Sequence, residues 1–161
     1  MQAEIITIGD ELLIGQVVDT NSTWLGRTLG EDGIKVTQIT SVQDDADQIA
    51  RAVNEALARV SIVLVTGGLG PTRDDITKHT LAELFGMRLV RDEQVYETVR
   101  RQLAVRGIAF NELNRGQALV PDGCTVLPNR NGTAPGMWFE RGGKILVSMP
   151  GVPFEMKALV T

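Results

Sequence analysis

A short apolar segment that leads directly into a glycine-rich loop constrains the fold of this chain more than any other feature. Residues 61–66 read S-I-V-L-V-T, and residues 67–71, G-G-L-G-P, follow at once. A short aliphatic and β-branched run that ends at turn residues predicts a strand buried on both faces. Strands of this kind belong to parallel sheets that are covered by helices. We therefore expect an α/β protein.

Predicted strands and helices alternate along the first two thirds of the chain. Residues 3–8 and 35–42 are rich in aliphatic and β-branched residues and predict two more strands. Between the strands, apolar residues recur at helical spacing, most clearly at Ile49, Val53 and Leu57. The predicted helices cover residues 22–32, 44–60, 75–85 and 92–106. This alternation predicts a mostly parallel sheet with helices on both faces.

The last third of the chain predicts an antiparallel hairpin. Residues 137–140 and 144–148 flank Gly142-Gly143, a pair that is typical of a tight hairpin turn. Residues 125–127 predict a short strand, whereas residues 111–120 are ambiguous and fit at most a short helix. A final helix begins near Phe154 and the sequence stops at Thr161. We interpret residues 1–161 as a single domain, the N-terminal part of a longer protein.

Composition excludes several classes of function. The chain carries a net charge of −4 and has no basic run, which argues against nucleic acid as the main partner. Its single cysteine, Cys124, cannot form a disulfide within the chain, as suits a reducing compartment. No apolar stretch approaches the roughly 20 residues that span a bilayer, and residues 1–10 do not resemble a signal peptide. We expect a cytoplasmic protein without a membrane partner.

Three loops that follow predicted strands are candidates for a ligand site. They are Gly9-Asp10-Glu11, residues 67–75 and residues 150–153, and in open α/β sheets ligands bind beyond the carboxyl ends of the strands. The glycines of residues 67–75 allow the backbone to approach a phosphate, and the next helix offers free N–H groups. A tight turn in which Asp74 or Asp75 caps that helix fits the same spacing equally well.

Several carboxylates could share this edge of the sheet. They are Asp10, Glu11, Asp19, Asp44, Asp45, Asp74 and Asp75. A converging cluster of carboxylates would hold a hard divalent cation such as Mg²⁺, which could neutralise a diphosphate and activate water. For any single residue, helix capping or a solvated surface position is the favoured interpretation.

The strand-end loops occur in an order that resembles one known family. The motifs are Gly9-Asp10-Glu11-Leu12-Leu13-x-Gly15, Asp19-Thr20-Asn21, Gly67-Gly68-Leu69-Gly70-Pro71-Thr72-x-Asp74-Asp75, Asn129-x-x-Gly132-Thr133-Ala134-Pro135-Gly136 and Pro150-Gly151-Val152-Pro153-x-Glu155-Met156. Together they resemble the N-terminal domain of the competence/damage-inducible protein A (CinA) family. That domain in turn is similar to the molybdopterin-binding domains of the MogA, MoaB and MoeA type.

The resemblance implies a fold and an activity. It implies a three-layer α/β/α sandwich in a cytoplasmic protein that forms homo-oligomers. It also implies metal-dependent ADP-ribose pyrophosphatase activity, which releases AMP and ribose 5-phosphate. Many members carry a C-terminal domain that deamidates nicotinamide mononucleotide, and nothing in this sequence matches that domain. Two alternatives stay open: a non-catalytic module that binds a nucleotide or pterin phosphate and forms oligomers, and transfer of AMP to a molybdopterin phosphate.

The resemblance also implies site residues. In the molybdopterin relatives an Asp after the second strand and an Asp that closes the glycine loop contribute to the site, and these match Asp44 and Asp75. We predict both as catalytic residues and, with Asp10, as ligands of the divalent cation. Leu69 stands where the relatives have a threonine, which counts against AMP transfer. The predicted phosphate- and ligand-binding residues are Gly9, Asp10, Glu11, Asp19, Asn21, Gly67, Gly68, Gly70, Pro71, Thr72, Gly132, Thr133, Pro150 and Gly151.

Overall fold

The first half of the chain forms three parallel strands with helices between them. The computed structural model describes residues 1–69 and 76–161. The strands are β1 (Gln2–Ile8), β2 (Lys35–Val42) and β3 (Ile62–Thr66). The helices are α1 (Asp10–Leu13), α2 (Thr20–Glu31), α3 (Ala46–Arg59) and α4 (Ile76–Leu84). The alternation of strands and helices predicted from the sequence is therefore confirmed.

The second half of the chain completes the sheet through a hairpin. Its strands are β4 (Leu89–Arg91), β5 (Leu119–Pro121), β6 (Thr125–Leu127), β7 (Gly136–Arg141) and β8 (Lys144–Met149). Its helices are α5 (Glu93–Val105), α6 (Glu112–Arg115), a short 3₁₀ turn (Gly116–Ala118) and α7 (Pro153–Val160). Within residues 1–69 and 76–161, no helix has the length and apolar character that crossing a membrane requires.

The strand order places a topological switch point between β1 and β3. The main sheet has the order β2-β1-β3-β8-β7-β6. The pairs β2–β1, β1–β3 and β3–β8 are parallel, whereas β8–β7 and β7–β6 are antiparallel. From β1 the chain moves outward to β2 and then returns across β1 to β3. In open α/β sheets the crevice at such a reversal is the usual ligand site.

Helices cover both faces of the sheet because the central strands are apolar on both sides. Along β1, Ile6 and Ile8 face one core together with residues of α3 and α4. Ala3 and Ile5 face the opposite core with Leu25 of α2 and with residues of α7. Side chains alternate between the faces of a strand, so this pattern requires two cores. The three-layer α/β/α sandwich and the antiparallel hairpin are confirmed.

Three short elements were missed by the sequence analysis. Helix α1 is a single turn directly after Gly9, and β4 and β5 have three residues each and form a separate antiparallel pair. The ambiguous residues 111–120 contain α6, the 3₁₀ turn and the start of β5. Segments of three or four residues are too short to display a hydrophobic period, which is why the sequence does not reveal them.

The N-cap of α3 gives a stability prediction. The Asp45 carboxylate accepts a hydrogen bond from the Gln48 backbone N–H at 3.0 Å, as the capping pattern predicts. Asp45→Ala leaves that N–H without its partner and should lower the free energy of unfolding by about 1 kcal/mol. Asp45→Asn keeps an acceptor and should stay close to wild type. Equal losses in both variants, measured by urea denaturation, would contradict this role.

Candidate functional site

A cavity lies at the carboxyl ends of β1, β3 and β8, next to the switch point. Its volume is about 530 Å³, within the range of small-molecule sites. It is lined by Thr7, Ile8, Glu11, Leu12, Val17, Val18, Asp19, Thr20, Asn21, Thr66, Gly67, Gly68, Leu69, Thr133, Ala134, Pro150, Gly151, Val152, Pro153 and Glu155. These residues come from all three loops that the sequence predicts, from the segment that leads into α2, from the loop before β7, and from the adjoining ends of strands and of α7. The cavity is therefore the candidate site.

The glycine pair after β3 is required by the backbone geometry. Gly67 and Gly68 both have positive φ, 104° and 69°, a region that other residues rarely occupy. A β-carbon on Gly67 would overlap the carbonyl oxygen of Ile8, and one on Gly68 would overlap the hydroxyl of Thr77. The chain can turn into the cavity here only because both residues lack side chains.

Backbone hydrogen bonds decide which of the loop amides can meet a ligand. The N–H of Gly67 donates to Met149 O at 3.0 Å, and the N–H of Gly9 donates to Val42 O at 3.1 Å. These two amides extend the strand pairing, so they are not available to a phosphate. In the described part of the chain, the N–H groups of Gly68, Leu69 and Gly151 donate no hydrogen bond. Unpaired amides of this kind are suited to an anion.

Asn21 connects the loops at the centre of the site. Its amide nitrogen donates to Thr66 Oγ1 at 3.2 Å and to Gly151 O at 2.8 Å. The Thr66 hydroxyl in turn donates to Pro150 O at 2.9 Å. Asn21 Oδ1 is buried and has no partner among the described residues. A buried acceptor without a partner is costly, so this oxygen is suited to a donor on a ligand.

The charged residues that line the cavity are all acidic. They are Glu11, Asp19 and Glu155, and no Lys or Arg of residues 1–69 and 76–161 lines it. The Asp19 carboxylate caps α2, accepting hydrogen bonds from the backbone N–H of Ser22 at 3.0 Å and from the Ser22 hydroxyl. Both of its oxygens are thus engaged within the protein. An anionic ligand would have to be held by backbone amides and a cation.

Glu155 lies in the first turn of α7 and packs onto the loop before β7. Its Oε2 accepts a hydrogen bond from Asn129 Nδ2 at 3.2 Å. A β-carbon on Gly132 would overlap the carboxylate, so that glycine allows the close approach. Burial raises the pKa of Glu155 above its ordinary value, while the Asn129 hydrogen bond and the charge of Arg106 act to lower that pKa. Glu155 is not among the site residues predicted from the sequence, although Glu155 belongs to the motif of residues 150–156.

Two of the three predicted metal ligands lie together beside the cavity. The backbone N–H of Asp44 donates to Asp10 Oδ1 at 3.1 Å, which joins the ends of β1 and β2. Neither residue lines the cavity itself. The third predicted ligand, Asp75, lies outside the described residues. Within residues 1–69 and 76–161, no three His, Cys, Asp or Glu side chains are placed to hold a metal ion.

The remaining predicted site residues divide between the cavity and its surroundings. Those that line the cavity are Glu11, Asp19, Asn21, Gly67, Gly68, Thr133, Pro150 and Gly151. Gly9 lies behind it in the strand pairing, and Gly132 lies against Glu155 and lines a neighbouring cavity of about 140 Å³. Gly70, Pro71 and Thr72 lie outside the described residues. The roles assigned to all these residues stay predictions.

One wall of the cavity is apolar and was not anticipated. Leu12, Val17 and Val18 line it from the segment between β1 and α2, with Val152 and Pro153 from the start of α7. Val17 and Val18 are 52% and 79% exposed, so their side chains are accessible to a ligand in the cavity. The sequence signal was present as the apolar part of residues 12–18.

The fold and the cavity define a doubly wound α/β domain with a ligand-sized site at its switch point. Over residues 4–161 the chain matches the family described as "Probable molybdopterin binding domain". The CinA-like protein of Cytophaga hutchinsonii is 52% identical over 159 residues, which cover 99% of this chain and 38% of that protein. The CinA-like protein of Flavobacterium psychrophilum is 45% identical, with the same shares covered. The chain thus spans 38% of the length of these curated relatives.

Solved structures agree with this assignment. The structure of the protein CinA with unknown function from Thermoplasma acidophilum is 37% identical, with a TM-score of 0.90 over 99% of this chain and 93% of that chain. The molybdopterin biosynthesis enzyme MoaB from Thermus thermophilus is 19% identical, with a TM-score of 0.65 over 99% and 86% of the two chains, and shares the fold. The chain therefore belongs to the molybdopterin-binding domain family, in the group of CinA-like proteins.

Proposed function

We propose that this domain binds a nucleotide-sugar diphosphate of the ADP-ribose type in the cavity and hydrolyses it to AMP and ribose 5-phosphate. The observation that carries the proposal is the placement of unpaired backbone amides of Gly68, Leu69 and Gly151 at the switch point of the sheet. The divalent cation and the hydrolytic activity are both part of the proposal.

The polar end of the cavity would hold the diphosphate. Backbone N–H groups bind phosphate oxygens without a cationic side chain. The first turn of α7 adds N–H groups that have no acceptor within the helix and a positive dipole end. Val152 and Pro153 bring this helix end to the cavity. The diphosphate would therefore lie between the loop after β3 and the start of α7.

The apolar wall would hold the base. Leu12, Val17 and Val18 offer an aliphatic surface on one side of the cavity. A flat heterocycle that packs there loses contact with water, which contributes about 25 cal/mol for each Å² of apolar surface buried. The arrangement suits a ligand with a ring at one end and phosphates at the other. An adenine nucleotide and a pterin phosphate both meet this description.

A divalent cation is needed on electrostatic grounds. A diphosphate would enter a site whose described charged residues, Glu11, Asp19 and Glu155, are all carboxylates. Mg²⁺ usually binds through one or two carboxylates together with substrate phosphates, so a complete protein cage is not required. Asp44 and Asp75, with Asp10, are the proposed ligands. When bound, the cation would neutralise charge on the diphosphate.

Binding without turnover is the second candidate function, and the family match favours it. The chain matches a family described by molybdopterin binding rather than by a reaction. The same amides and apolar wall would hold a pterin phosphate or a nucleotide without changing it chemically. Transfer of AMP is less favoured, because Leu69, which is buried, stands where the molybdopterin relatives have a threonine hydroxyl. Turnover separates this candidate from hydrolysis.

The test is release of AMP from ADP-ribose by the purified domain. We expect release in the presence of Mg²⁺ and its loss after treatment with EDTA, with recovery when Mg²⁺ is restored. The reason is that the carboxylate-lined cavity repels an uncompensated diphosphate. Chromatographic detection of AMP and ribose 5-phosphate provides the measurement. Absence of AMP from a folded domain that binds ADP-ribose would overturn hydrolysis in favour of binding alone.

Substitution of Asp75 tests the proposed cation ligand. Asp75→Ala should abolish AMP release at every Mg²⁺ concentration while the protein stays folded. The matched control is Asp32→Ala, since Asp32 is an exposed carboxylate at the end of α2 that does not line the cavity. It should keep wild-type activity. Full activity of folded Asp75→Ala protein would rule out the assigned role.

A further inference from the structure

We infer that Glu155 is the general base of the site, the carboxylate that accepts a proton from the attacking water. This inference rests on the proposed hydrolysis and adds to it the one catalytic group that sequence motifs do not identify. Three observations support it. Glu155 lies in the cavity wall, a hydrogen bond fixes the Glu155 side chain, and the other two carboxylates among the described cavity residues are either engaged in a helix cap or exposed.

The Glu155 side chain is held in one orientation beside the proposed phosphate position. It lies four positions after Gly151, which also lines the cavity and whose N–H donates no hydrogen bond among the described residues. Oε2 is fixed by Asn129, which is itself held because its Nδ2 also donates to Ala134 O at 2.8 Å. Because Gly132 has no side chain, the Glu155 carboxylate can pack against the loop before β7. In the described part of the chain Oε1 has no hydrogen-bond partner, so one oxygen remains available for a water molecule.

The other carboxylates of the cavity are less suited to take a proton. Both oxygens of Asp19 accept hydrogen bonds from Ser22. If Asp19 acted as the base, it would have to give up one of these hydrogen bonds, which cap the N-terminus of α2. Glu11 is exposed and lies in the single-turn helix α1. Glu155 is half-buried. A base works best when its pKa approaches the working pH, and partial burial moves a carboxyl in that direction.

The charges around Glu155 set the expected pH dependence. Arg106, at the end of α5, acts to lower the pKa of Glu155, while desolvation is the larger effect and raises it. Glu11 and Asp19 face the same cavity from α1 and the start of α2. The base must be ionised to act, so activity should rise with pH through a pKa that lies above the ordinary glutamate value.

The proposed step conserves atoms and charge. The oxygen of a water molecule attacks one phosphorus of the diphosphate while Glu155 takes a proton from that water. The new P–O bond forms as the bond to the bridging oxygen breaks, and the leaving phosphate keeps the electron pair. Glu155 then returns its proton to solvent. One water is consumed for each AMP and ribose 5-phosphate produced.

Glu155→Gln tests the inference because the amide retains shape and can still accept the Asn129 hydrogen bond. We expect kcat for AMP release to fall by about 100-fold or more, the usual contribution of a general base. KM should change little, and the rise of kcat with pH through the Glu155 pKa should disappear. Glu155→Asp, which restores a carboxylate, should recover part of kcat. Kinetics across the pH range provide the measurement.

Glu93→Gln is the matched control, since Glu93 is an exposed glutamate in the first turn of α5 and lies outside the cavity. It should keep wild-type kcat. An equal fall of kcat in both variants would mean that the loss of any negative charge from a first helical turn lowers kcat, and it would overturn the inference. Wild-type kcat in Glu155→Gln, or a raised KM with kcat intact, would overturn it as well. Lack of turnover in the wild type would instead overturn the proposed hydrolysis, and this inference with it.

Discussion

Gly67→Ala should lower the free energy of unfolding by about 2–4 kcal/mol and abolish binding of ADP-ribose. The residue has a φ of 104°, where an alanine is strained, and its β-carbon would overlap the Ile8 carbonyl oxygen. Relief of that overlap must move β1 away from β3 or change the loop after β3. Either movement displaces the Gly68 amide from the cavity.

Gly30→Ala is the control for this substitution. Gly30 lies within α2, and a β-carbon there meets no atom within 4 Å. An alanine in a helix should leave stability unchanged or raise it by about 0.5–1 kcal/mol. Urea denaturation measures the stability of both variants, and isothermal titration calorimetry measures binding. Normal ADP-ribose binding by Gly67→Ala would show that the loop after β3 does not form the site.

Asn21→Asp should weaken ADP-ribose binding by about 10- to 100-fold, which is the cost of leaving buried polar groups without partners. The Asn21 amide donates to Thr66 Oγ1 and Gly151 O, and a carboxylate cannot donate to either of them. The added negative charge would also face a site whose described charged residues are already acidic. Both effects act against a diphosphate.

The fold should persist in Asn21→Asp. The residue lies in the first turn of α2, where a negative charge is favourable. Asn54→Asp makes the same change on the exposed face of α3 and should bind ADP-ribose as the wild type does. Titration calorimetry with both variants, alongside circular dichroism, provides the comparison. Equal affinity of Asn21→Asp and wild type would remove Asn21 from the proposed site.

The layer architecture could be predicted because its signals are local. Strand β3 is a continuous apolar run, and apolar residues recur at helical spacing along α3. The local sequence of each segment therefore indicates which of its residues are buried. The pair Gly142-Gly143 likewise predicts the hairpin turn from local sequence alone. The two-residue shift in the start of α2 has a local cause, since Asp19 caps the helix earlier than its apolar face begins. Helix ends are set by such caps rather than by the hydrophobic pattern.

The details of the site could not be predicted because they depend on contacts between distant segments. The sequence places Gly67 in a phosphate-binding loop, but only the parallel pairing of β3 with β8 shows that its N–H is taken by Met149 O. Glu155 and Asn129 are 26 positions apart, and their hydrogen bond forms only because α7 packs beside the loop before β7. Predictions that rest on single loops therefore identify the region of a site rather than its working atoms.

The most direct test of the central claim is the change in backbone amide chemical shifts when ADP-ribose is titrated, with Mg²⁺, into isotope-labelled domain. We expect the largest changes at the amides of Gly68, Leu69 and Gly151, with Thr133 and Val18 also affected. Changes concentrated away from this cavity, or the absence of saturable changes in a folded domain, would contradict it.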